Sequence, residues 1–281
     1  MAASYWKQVQ EHGLAVPEDR PLDDLTAELT RMLGSPDPDD RDGIAYPLLS
    51  TWVARGVYDD LLIGLGDGMA AGLRVGIGER DTDTVFRRSF SALVLAECIA
   101  RDNQCALVPG DKILQWGDRL ATWLLAERDL RGFVPGKGWA HAIAHGADAI
   151  SMLAESPYVA GPELTTVLLD VIADRLLLPV DELLVAGETD RLALATMNIL
   201  RRDLVPLTVL EPWIARLTAH AGAATYDDRT PNLAGQNTET FLRALYLQLS
   251  LAGRPPAVRA DLLLVLVDAL RTVNPHYLRL E

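Results

Sequence analysis

Cysteine is nearly absent. Cys98 and Cys105 are the two in 281 residues, and one such pair, separated by a polar stretch, builds neither a disulfide framework nor a zinc knuckle. Both read as plain buried or half-buried thiols. Aromatic residues are scarce at 6%, while Leu, Ala, Val, Asp and Arg dominate. Straight-chain residues lose little freedom in a helix, so this mixture favours helices over sheets. Basic residues are outnumbered, 26 Lys and Arg against 39 Asp and Glu for a net charge of -13, which disfavours nonspecific attraction to nucleic acid or anionic lipid. Long apolar runs are missing as well: LLLVLVDAL is broken by Asp268 and falls short of the roughly 20 residues that a membrane span takes. The opening MAASYWKQVQEHG is polar and carries an acid, unlike a secretory signal. The expected protein is therefore cytoplasmic, with neither a nucleic-acid nor a membrane partner.

With 49% hydrophobic and 23% charged residues, the chain can bury a sizeable core. Segments with helical period recur between Gly, Pro and Asp breakers: Leu22 to Leu33, Arg41 to Ala54, Asp59 to Val75, Thr82 to Arg101 and Asp111 to Arg128. They continue as Gly136 to Ala154, Pro162 to Leu177, Gly187 to Arg202, Leu207 to Ala221, Thr238 to Leu251 and Pro256 to Val273. Helix pairs recurring at roughly 40 to 47 residues suggest stacked repeats. Helices such as LALATMNIL and ADLLLVLVDAL are apolar almost all round, which suits helices sandwiched between neighbours. The fold class expected is all-α: an α-solenoid of stacked antiparallel helix pairs, HEAT- or armadillo-like, with about eleven or twelve helices in a single domain over residues 1–281. The longest polar stretch, TYDDRTPNLAGQN from Thr225 to Asn237, is either a binding loop or a long connection. Adjacent acid and base residues (Asp40 with Arg41, Asp118 with Arg119, Asp174 with Arg175, Asp190 with Arg191) read as caps and inter-helix pairs.

Chemistry concentrates in AERDLRGFVPGKGWAHAIAHGADAISMLAES, from Ala126 to Ser156. Glycines at 132, 136 and 138 allow positive φ and close approach to a ligand, and Lys137 sits among them. At about 100° per residue, His145 lies about 40° from His141 and Asp148 about 20° on the other side, so the three share a helix face. Trp139, Ile143, Ile150 and Leu153 form the opposite, docking face, with Ala140, Ala144 and Ala147 flanking the stripe.

Three chemistries suit the stripe. His141, His145 and Asp148 have the i, i+4 and following-turn spacing that holds a divalent metal. Zinc-hydrolase helices carry Glu after the first His, where Ala142 stands here, so metalloprotease chemistry is disfavoured. Alternatively, an imidazole oriented by Asp148 or Glu127 acts as acid or base. The third is anion recognition by Lys137, the glycine amides and the helix start. Against all three stands a structural role, in which the His and Asp side chains bond neighbouring helices.

Glu127, Asp129 and Arg131 read as a salt-bridged corner. Asn237, Glu239 and Arg243 head an apolar helix, FLRALYLQL, in which Arg243 needs a carboxylate or a ligand; Ser89 with Arg87 and Arg88 in VFRRSFSALVL is similar. The motifs ERDLRGFVPGKGWAHAIAHGAD, FRRSFSALVL, GETDRLALA and NTETFLRALYLQL resemble a bacterial family catalogued as a domain of unknown function, the DUF2785-type family. The resemblance implies a bacterial origin and an all-helical fold similar to HEAT-type repeats, and carries over no activity or cofactor.

Two functions follow. One is a small-molecule enzyme on a concave face, with His141 or His145 as acid or base, Asp148 orienting, and Glu127 as a spare carboxylate if a divalent metal is present. In it Lys137, Trp139, Asn237 and Arg243 bind a small anionic or polar ligand. The other is a helical-repeat scaffold that holds a protein partner, with the stripe structural.

Overall fold

The computed structural model describes residues 2–222 and 231–278. Among them are twelve α-helices and one two-stranded hairpin, so the protein is all-α. No described helix is long and apolar enough to cross a membrane. Contacts divide the chain into two compact units, Met1–Leu153 and Ala154–Glu281.

The first unit opens with α1 (Ala2–Glu11) and α2 (Leu22–Met32). A π-helical segment, Asp39–Ala45, runs into α3 (Tyr46–Ala54), and a 3-10 turn, Asp59–Leu61, leads into α4 (Leu62–Gly72). Then come α5 (Thr84–Cys105), α6 (Gly110–Ala126), the strands β1 (Phe133–Val134) and β2 (Gly138–Trp139), and α7 (Ala142–Ala154). The central element is α5. It packs on α3 and α4 and is buried on nearly every side, including Arg88, Ser89, Ser91 and Asp102. Its C-terminus is closed by Ala106 at φ 52°, with the Asp102 carboxylate accepting the N–H groups of Leu107 and Val108 at 2.7 Å each. Of the two thiols, Cys98 is buried and Cys105 exposed; burial pushes the Cys98 thiol up from its ordinary value.

In the second unit, α8 (Pro162–Leu177), α9 (Glu188–Leu200), α10 (Leu207–Ala221), α11 (Leu233–Leu251) and α12 (Arg259–Val273) pack as alternate neighbours. α9 lies on α11, α10 on α12, and α8 against α9, α10 and α11. α11 begins earlier than its apolar period suggests because Asn232 caps it, accepting Gly235 N–H at 2.8 Å. Of the polar stretch Thr225 to Asn237, residues 225–230 lie outside the described residues; the rest forms the cap and first turn of α11.

The periodicity places a helix from Gly136, and the structure corrects this. Residues 133–139 form a hairpin, Phe133 pairing with Trp139 and Val134 with Gly138. Gly136 and Gly138 take φ of 75° and 78°, angles outside a right-handed helix, and Pro135 disfavours helix at the residue before it. The chain enters α7 only after His141.

Candidate functional site

His141 stands at the hinge between hairpin and helix. Its N–H is shared between the carbonyls of Arg131 and Gly132 at 3.2 and 3.3 Å, and its carbonyl accepts the N–H of His145 at 2.9 Å. That last bond is the first of α7, so the i, i+4 neighbourhood of the two histidines survives although His141 lies outside the helix. The imidazoles meet edge to face with centroids 5.9 Å apart. His141 itself has φ 50°, the left-handed region that costs an L-residue about 1–2 kcal/mol.

Trp139 does not face the core as the helical wheel suggests. Lying on β2, it is 42% exposed, its indole stacked on the His141 ring at 4.2 Å and its neighbour Phe133 edge-on at 5.0 Å. Alternation along a strand, rather than the 3.6-residue turn, sets its direction.

His145 is buried. Its Nδ1 lies 2.7 Å from Ser89 Oγ, and the Ser89 hydroxyl donates to the carbonyl of Ala140. A serine has one proton to give, so His145 donates from Nδ1 to Ser89. Phe90 presses edge-on against the same ring, centroids 5.0 Å apart. Behind Phe90 lies Arg41, fully buried, its guanidinium 4.0 Å from the Phe86 centroid and 5.0 Å from that of Phe90. Arg41 donates to the carbonyls of Ser35 and Lys137 at 2.7 Å each and pairs with Asp42 at 2.7 Å. It thereby ties the π-helical segment to the hairpin.

Carboxylates approach from several elements. Asp148 lies one turn beyond His145 on α7. Tyr46, edge-on to Phe90, donates its hydroxyl to Glu97 at 2.8 Å. Burial raises the Glu97 carboxyl above its ordinary value; the Tyr46 bond opposes this and the charge of Asp148 adds to it. Burial likewise raises Asp42, against the charges of Arg41 and His141. Ser89 was marked in VFRRSFSALVL but not as a partner of His145, and Asp42, Tyr46 and Glu97 were not singled out by the sequence motifs. Phe90 and Glu97, seven apart and so on one face of α5, are the one spacing that points there.

A raised carboxyl pKa has a sign for stability. The folded state holds the Glu97 proton more tightly than the unfolded chain, so the contribution is full below the ordinary 4.5 and is lost as the pH rises through the folded value. Glu97→Gln, which can still accept from Tyr46, should therefore melt higher than wild type at neutral pH, with the gap closing as the pH falls towards 4.5. A gap independent of pH would trace the effect to the hydrogen bond alone.

The other expected site residues are engaged elsewhere. Lys137 pairs with Asp83 at 2.6 Å. Glu127 is buried and bonds Arg88 through both oxygens. Asp129 and Arg131 form the expected corner at 2.6 Å. Asn237 and Arg243 belong to the second unit: Asn237 accepts from Leu184 N–H at 2.9 Å and donates to the Glu182 carbonyl at 3.3 Å, while Arg243 pairs with Glu239 and donates to Asn274 at 2.8 Å. Among the described residues, no group of three or more His, Cys, Asp or Glu side chains is placed to hold a metal ion.

The model of a family described as Protein of unknown function (DUF2785) matches residues 73–247, a span that takes in α5 and the whole hairpin and its histidines. No curated protein and no solved structure matches the chain.

Proposed function

The chain belongs to the DUF2785 family, and we propose that the cluster around His141 and His145 is an acid–base site for a small polar ligand. The observation that carries this is the left-handed backbone of His141 beneath an exposed indole. Gly or Asn meets a turn of this kind at lower cost, and strain of this sort gathers where a side chain is wanted for its chemistry.

In this reading Ser89 fixes the tautomer of His145, with the proton on Nδ1. His141 exchanges the proton, and Glu97, kept towards its protonated form by burial, serves as acid. Asp148 adds a negative charge, the charge of Asp42 is matched by Arg41, and Lys137 is held by Asp83. The ligand is therefore uncharged or cationic, with a ring that stacks on Trp139. Packing of alternate helices in the second unit supports the further proposal that the fold is a stacked-repeat solenoid.

The scaffold reading has one observation in its favour, the burial and hydrogen bonding of His145. His141→Asn separates the two, because Asn tolerates the left-handed region. Thermal-shift screening against nucleosides, monosaccharides and heteroaromatic amines, followed by NMR turnover of the hits, should find a compound converted by wild type. The folded variant should convert it about 10²-fold more slowly. Hits converted equally by both proteins, or bound and never converted, would reject catalysis here.

A further inference from the structure

On the opposite side of α5 from the histidine cluster, the motif FRRSFSALVL leaves one residue unused. Arg87 and Ser89 are two apart, hence about 200° around the helix, and Arg87 faces a separate pocket of 460 Å³ flanked by α2 and α4. Clefts of roughly 300–1,000 Å³ with apolar walls and a few placed polar groups are what small ligands occupy. Leu22, Leu61, Leu65 and Met69 supply apolar wall, and the one basic residue in the lining is Arg87.

Unlike the fully buried Arg41 and Arg88, Arg87 has no carboxylate partner among the described residues. Arg41 has Asp42, Arg88 has Glu127 and Arg131 has Asp129. Arg87 donates to the backbone carbonyl of Thr30, a neutral partner. Burial pushes its pKa down, and no neighbouring carboxylate acts against that burial. A guanidinium taken partly out of water without an anion carries an unreturned desolvation cost, and its planar fork matches a carboxylate through two parallel N–H bonds.

α4 is shaped to suit. Gly64, Gly68 and Gly72 follow one another at four-residue spacing on one face. A Cβ on Gly72 would collide first with Ser91 Oγ and would also lie 3.0 Å from Arg87 Nε, so the absence of a side chain there lets α5 approach with both side chains in place. A Cβ on Gly64 or Gly68 would meet nothing within 4 Å, and both residues line the pocket, so these two glycines hold space open. The far wall carries a hydroxyl pair, Thr26 Oγ1 and Tyr58 OH at 2.8 Å. Thr26 gives its proton to the Leu22 carbonyl at 2.7 Å, which makes Tyr58 the donor to Thr26. Asp23 and Asp60 also line the pocket, and their charge disfavours a second negative group.

We propose that this pocket binds a small monocarboxylate with an apolar body, its carboxylate on Arg87 and its body along the α4 glycines. The occupant is a small molecule rather than a protein segment, because the demand is for one negative charge on Arg87 beside a short apolar cleft of 460 Å³.

Titration calorimetry of the full chain with octanoate, 1-octanol and octylammonium tests this. Octanoate should bind at least 10-fold more tightly than 1-octanol, and octylammonium should not bind. Arg87→Met should lose the preference for octanoate over 1-octanol. Gly68→Leu, at an exposed helical position with open space beside it, should fold as wild type, by circular dichroism and melting, yet block both ligands. Equal affinity for octanoate and 1-octanol, octanoate binding unchanged in either variant, or no octanoate binding to wild type at millimolar concentration would each overturn the proposal.

Discussion

Glu127→Ala lowers the free energy of unfolding by about 3–5 kcal/mol, read by urea denaturation at neutral pH. Glu127 ends α6, and both of its oxygens are taken. One accepts from Arg88 Nε at 2.6 Å and from Trp123 Nε1 at 3.0 Å. The other accepts from Arg88 Nη2 at 2.8 Å and from the backbone N–H groups of Arg128 and Asp129 at 3.0 Å each. Arg88 is fully buried and also holds the carbonyls of Val75 and Gly76 at 2.9 Å. It thereby ties the loop after α4 to the end of α6. Truncating the acid leaves that guanidinium uncompensated, which is the costly half of breaking a buried pair. Combining Glu127→Ala with Arg88→Met removes the stranded charge and should recover part of the loss, though not all, because two carbonyls and two amides lose their partners. A cost below about 1 kcal/mol, the range of exposed pairs, would mean that Glu127 is not bound in this way, and would return it to the candidates for chemistry.

Glu127 also shows where reading along the chain stops. Its charge and its neighbours Asp129 and Arg131 are visible in the sequence, and the corner at 129 and 131 is as expected. Arg88, 39 residues away, is not, because a buried pair between α5 and the end of α6 depends on tertiary packing. The same division runs through the fold. Helices bounded by Pro or by clear polar breaks, such as α2, α8 and α10, begin where the pattern places them. α7 does not, since apolar periodicity runs back through Trp139 while the backbone demands of Gly136 and Gly138 act at single residues. Within the candidate site, the proximity of His141 and His145 was legible because an i, i+4 relation needs only the first helical hydrogen bond. Ser89, the partner of His145, and the neighbouring Tyr46–Glu97 pair come from α3 and α5, which no local spacing ties to α7. The histidine face was visible, but its surroundings were not.

Gly66→Ala tests the same tertiary constraint at a position where local propensity predicts the opposite sign. In an isolated helix the change should stabilise by about 0.8–1 kcal/mol. In this protein a Cβ on Gly66 would overlap the ring of Trp116, and that ring cannot easily yield: it is fully buried, and its Nε1 donates to Asp67 at 2.9 Å. Asp67 is in turn held by Lys112 at 3.1 Å. Overpacking a fixed core of this kind costs about 1–3 kcal/mol, which exceeds the propensity gain, so Gly66→Ala should destabilise in chemical denaturation. Gly64→Ala, two residues earlier on the same helix and facing open space, has no such clash and should stabilise by the propensity increment. Opposite signs for two identical substitutions half a turn apart would show that α6, rather than the composition of α4, dictates glycine at 66. Matching signs would mean that α4 and α6 do not approach as closely as their side chains require.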